Sequence, residues 1–194
     1  MRRFQTIYDG SDPGGTPGRV FTASIAQETI TPDNKFLDHM LIGLKGAVAT
    51  AAVPIEDFVG VLSEYNLKVG AETRIQLNLR QIIALMNFYF KDLPFIWENT
   101  DATGNDFVGH VMLPLHIPVK AGETIVHSAT RTAVTNIATE TLALTAVCDD
   151  SDKGRKPIHA VRIPFTTAGS AGYDQVGVTL PPIGNLVGLI VQQV

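Results

Sequence analysis

From Lys35 to Pro94 the chain switches repeatedly between apolar residues at every second position and apolar residues at every third or fourth. Phe36–Ala52 is apolar on both parities, through Leu41, Ile42, Leu44 and Val48, with Gly43 and Gly46 between them. That pattern predicts a strand covered on both faces, or one bulged at a glycine. Pro54-Ile55-Glu56-Asp57 then places proline and two acids where a helix begins. Phe58, Val61 and Leu62 supply the buried stripe of a short helix over 54–63. Tyr65–Val69 and Thr73–Leu77 alternate, with Gly70-Ala71 between them, which predicts a β-hairpin. Asn78 and Gln81 have capping-box spacing. The helix they open, over 79–90, carries Leu79, Ile82, Ile83, Met86 and Phe90 toward the core.

Strands are also predicted at Val20–Gln27, Ile125–Val134, Glu140–Cys148, Pro157–Phe165 and Leu186–Val191. Phe107–Val119 is extended, because Pro114 and Pro118 exclude a regular helix. Glu98–Asp106, DDSDKGRK and TTAGSAGYDQ read as loops, and DGSDPGGTPG makes residues 1–18 a flexible N-terminal arm. Many strands and two short helical insertions predict an all-β, antiparallel β-sandwich, with residues 19–194 forming a single domain.

The 194 residues are enough for a substantial core. Only 18% are charged, below the roughly 25% of an average domain, which leaves apolar surface for partners. The net charge of -4, with Lys and Arg gathered only in MRRF and KGRK, argues against specific nucleic-acid binding by the folded body. Cys148 is the one cysteine, which excludes an intrachain disulfide and a cysteine zinc site, and its apolar neighbours predict a buried small hydrophobe. No apolar run follows the two N-terminal arginines, and none approaches the ~18 residues of a membrane span. Synthesis in a cytoplasm is the expectation.

The search for chemistry yields no catalytic, cofactor-binding or metal residues. His110 and His116 lie on one extended segment, with His127 downstream, but HVMLPLHIPVKAGETIVH lacks the closely spaced histidine pair and following glutamate of a cupin-type metal site. There is no GxSxG, P-loop or GxGxxG. Asp149-Asp150-Ser151-Asp152 lacks the alternating ligands of a calcium loop and reads as solvated. Glu56, Asp57, Glu64, Glu72 and Asp106 are accounted for by helix starts and turns. The protein is therefore expected not to be an enzyme and to use no cofactor.

Four segments share an order of elements with a known family: LIGLKGAVATA, IEDFVGVLSEYNLKVG, IQLNLRQIIALMN and FVGHVMLPLHIPV, followed by TETLALTAVCDD and IGNLVGLIVQQ. In that order the chain resembles the single jelly-roll major capsid (coat) proteins of tailless, membrane-containing icosahedral phages. The resemblance implies a jelly-roll sandwich that self-assembles into an icosahedral shell. Its implied partners are copies of itself, other capsid proteins and an internal viral membrane, and its implied location is the virion, after synthesis in the host cytoplasm. The alternative reading is a non-catalytic β-sandwich binding module, for example for carbohydrate, although Trp97 is the only tryptophan and aromatic content is 7%.

Overall fold

A computed structural model describes residues 1–7, 19–32, 35–49, 53–91, 96–98, 106–120, 122–151 and 154–162. Alternating stretches become the strands β1 (Arg2–Thr6), β2 (Arg19–Val20), β3 (Ile25–Ile30), β4 (Phe36–Val48), β5 (Leu62–Val69), β6 (Glu72–Leu77), β7 (Ile96–Glu98), β8 (Asp106–Pro118), β9 (Ile125–Arg131), β10 (Ile137–Asp149) and β11 (Ala160–Val161). Two helices interrupt them, α1 (Ile55–Val61) and α2 (Leu79–Phe90). One sheet has the order β1-β10-β4-β8-β7, with β2 also on β10, and the other has the order β11-β6-β5-β9-β3. All pairings are antiparallel except that of β11 with β6. The architecture is an all-β sandwich with two helical insertions.

The chain changes sheet at almost every step. It passes from β3 to β4 to β5, makes a hairpin within a sheet from β5 to β6, crosses to β7 and its antiparallel neighbour β8, and then crosses to β9 and back to β10. This alternation lets both inner faces contribute to one core. Ile42, Leu44, Leu113 and Leu144 enter it from one sheet, and Tyr65, Leu67, Ile75 and Ile125 from the other. On β5 the period-two pattern is preserved, with Tyr65, Leu67 and Val69 buried and the intervening residues only partly covered.

Glycine permits one close approach. A Cβ on Gly109 of β8 would overlap the ring of Phe58, so the bare backbone lets α1 lie down on the sheet. The second helix begins at the capping box: the Gln81 amide donates to Asn78 Oδ1 at 2.8 Å, and the Asn78 amide donates to Gln81 Oε1 at 3.0 Å. Its buried face is Leu79, Ile82, Leu85 and Met86, while Ile83 and Phe90 are only partly covered. The predicted stripe is thus rotated: Leu85 belongs to it and Ile83 flanks it. Leu62, assigned to the first helix, instead starts β5, because α1 ends after Val61.

The N-terminal stretch differs most from expectation. Within residues 1–18, read as a flexible arm, Arg2–Thr6 are a strand registered on Thr145–Asp149. Gln5 Nε2 also donates to the Thr31 carbonyl beyond β3, at 2.7 Å, tying this edge to the other sheet. Ile7 bonds to Leu144 and Arg19 pairs with Leu142, so the chain departs from β10 and returns to it two residues away. A strand edge supplies backbone partners whatever the side chains, so the polar composition of RRFQT did not reveal the pairing. The remainder of that stretch and the predicted strand Leu186–Val191 lie outside the described residues.

Candidate functional site

The densest polar cluster is built where β4 breaks its register. His39 pairs with Val147 of β10 and Leu37 with Cys148, leaving Asp38 as an extra residue. Against β8, His39 pairs with Pro114 and Leu37 with Ile117, so Leu115 and His116 together oppose Asp38. The double irregularity lets Leu37 and Met40, three residues apart, both enter the core. It also turns Asp38, His39 and His116 toward one another. His116 has φ 50°, a left-handed conformation that is uncommon outside glycine and asparagine.

Four cationic or imidazole groups surround the Asp38 carboxylate. His116 Nδ1 lies 2.8 Å and Arg155 Nη1 3.4 Å from Oδ1. His39 Nδ1 lies 3.2 Å and Arg2 Nη2 3.4 Å from Oδ2. Burial by itself would raise the Asp38 carboxyl, but the hydrogen bond and charge of His116, followed by those of His39, hold it below its ordinary value. Burial pushes the His39 imidazole down, and Asp38 offsets only part of that effect. Around the cluster, Asp149 of β10 sits 4.0 Å from Arg2 Nε, and the Tyr89 ring of α2 meets His116 edge-on with centroids 6.4 Å apart. An imidazole paired with a carboxylate is the orienting half of a nucleophilic site. No serine, threonine or cysteine hydroxyl or thiol contacts His116 among the described interactions; what the geometry shows is a charge node, four groups converging on one buried carboxylate.

The histidines named from sequence do not converge. His110 is exposed on β8 beside Gly43, His116 is buried in the node, and His127 is buried in the other sheet with its ring 5.9 Å from that of Tyr65. Among the described residues no three His, Cys, Asp or Glu side chains are grouped to hold a metal ion. Cys148 is buried in the core. Asp149, read as part of a solvated loop, is instead buried at the end of β10 and accepts from the Ser151 amide. Asp57 receives Asn136 Nδ2 at 2.8 Å, and Glu64 receives Asn66 at 2.6 Å and Gln76 at 3.2 Å. The sequence search missed Asp38. Its signal was two adjacent polar residues, Asp38-His39, inside the otherwise apolar FLDHMLIGL, which a regular two-sided strand does not accommodate.

The surface carries a few large apolar groups. Phe4 on β1 is 68% exposed, Ile55 on α1 44% and Phe88 on α2 52%. Phe88 and Tyr89 pack edge to face with centroids 5.5 Å apart. No helix among the described residues is long and apolar enough to cross a membrane. No protein-family model matches this chain, and no curated protein matches it.

Proposed function

We propose that the protein is a structural virion subunit with a jelly-roll fold, which self-associates through its faces and edges into a closed icosahedral shell. The observation that carries the proposal is the strand order. If β1 with β2, β3, β4, β5, β6, β8, β9 and β10 are taken as eight successive strands, the sheets pair first-eighth-third-sixth and second-seventh-fourth-fifth. That order supports a jelly-roll reading, and the jelly roll is an architecture used by viral shells and also by lectins and cupins. The proposal therefore rests on architecture joined to the element pattern of the sequence, since a fold alone does not assign a function. Two surface features support association between copies: exposed Phe4 on a sheet edge, and a net charge of only -4, which leaves weak mutual repulsion.

Sedimentation velocity over a wide concentration range tests this reading. Oligomers larger than a dimer, growing with concentration, are the expected result. A monomer at every concentration, with and without salt, would instead favour a carbohydrate-binding module. The exposed Phe88–Tyr89 pair suits that second reading, because sugars stack on open aromatic faces. A glycan array tests it directly.

A further inference from the structure

We propose that the Asp38 carboxylate is an acid-sensitive latch, holding the edge strand β1 and the segment around Arg155 onto the central strands β4 and β8. Each carboxylate oxygen is shared between one imidazole of a central strand and one guanidinium of a peripheral segment. Oδ2 serves His39 and Arg2, and Oδ1 serves His116 and Arg155. The imidazoles are the closer and more buried partners, with side chains 11% and 8% exposed, while both arginine side chains are 45% exposed. The inner pair is fixed by the strand irregularity, and the outer pair has water as an alternative.

With the His39 imidazole neutral, the charge of Asp38 is balanced by Arg2 and Arg155. Acid that protonates His39 adds positive charge beside the oxygen it shares with Arg2. The Arg2 guanidinium then faces repulsion from that imidazolium and a carboxylate already neutralised, and it moves to solvent. Two other carboxylates face the start of β1: Asp149 lies 4.0 Å from Arg2 Nε and 3.8 Å from the Met1 ammonium, which also pairs with Asp150 at 2.9 Å. The Met1 and Asp150 groups are exposed, so their pair holds the strand weakly. Release of Arg2, the first residue of β1, therefore loosens that strand from its beginning. Linkage runs both ways: anything that holds β1 in place opposes protonation, and anything that captures β1 promotes it.

Hydrogen exchange read by mass spectrometry tests the latch, comparing the Met1–Ile7 segment at about pH 7.5 and about pH 5.5, on either side of the imidazole range, after correction for intrinsic exchange rates. Protection of β1 is expected to fall about tenfold at the lower pH, and by more than that of β4 and β8. The variant His39→Gln keeps a neutral amide donor beside Asp38 and is expected to lose the pH response. Arg2→Gln, a change at a half-exposed position, is expected to lower β1 protection already at the higher pH and to remove most of the further loss. Wild-type protection that does not change with pH, a full pH response in His39→Gln, or wild-type protection in Arg2→Gln would each overturn the proposal.

Discussion

Arg131 of β9 grips Glu140 of β10 with two nitrogens, Nη2 to Oε1 at 2.6 Å and Nε to Oε2 at 3.3 Å. The two strands belong to different sheets, so the pair bolts the sandwich across the turn that joins them. Glu140 is 1% exposed, and its carboxylate depends on this fork for its charge partner. Arg131→Met is expected to cost about 3 kcal/mol in urea denaturation, because it strands a buried charge. Adding Glu140→Leu should restore most of that loss, since an apolar pair of similar volume needs no desolvated ions. A single variant as stable as the wild type would contradict this role.

The contact between Gly109 and Phe58 is steric, and its sign is unambiguous. Gly109→Ala puts a methyl group into the Phe58 ring and should destabilise the fold by about 1–3 kcal/mol. Combining it with Phe58→Leu should recover part of the loss, giving a favourable coupling in a double-mutant cycle. Additive losses would mean that the ring and the glycine do not meet.

The rotation of α2 separates two neighbouring substitutions. Ile82 is fully buried and Ile83 only partly so. Ile82→Asp is expected to abolish soluble folding, since an unpaired buried carboxylate costs several kcal/mol, on the order of 3 or more. Ile83→Asp should yield a soluble protein with a lowered melting temperature. Equal loss from the two substitutions, in expression and thermal melting, would place the helix face where the sequence alone put it.

Acid should weaken the protein in two stages. His39 binds a proton less readily when folded than at its unfolded value of 6.5, so its contribution is complete above that pH and is lost as the pH falls below it. Asp38 is likewise held below its unfolded value of 3.8, so its contribution is complete above 3.8 and is lost as the pH falls through the lower folded value. Both act in the same direction, with His39 first. Urea midpoints measured from neutral to acid pH should fall from about 6.5 downward, and His39→Gln should remove that first decline. A midpoint that rises on acidification through this range would refute the assignment.

Much of the fold was legible because one face of most elements is buried. The hairpin from Tyr65 to Leu77 follows from strict alternation, and the start of α2 follows from Asn78 and Gln81, because both signals are local. Long-range information was not legible. Arg2–Thr6 is a strand only because β10 offers it an edge, and nothing in the pentapeptide specifies that partner. The Asp38 node was hidden for the same reason. Its groups are contributed by residues 2, 38, 39, 116 and 155, and only a register shift across three strands brings them together.

If copies of this chain build a shell, as proposed, electron microscopy of the purified protein at high concentration reveals it most directly. The account predicts closed particles or regular rings of repeating subunits, and it predicts that replacing exposed Phe4 with Lys thins their number. Fields that hold only isolated single subunits, at concentrations where the protein is folded by circular dichroism, would contradict it.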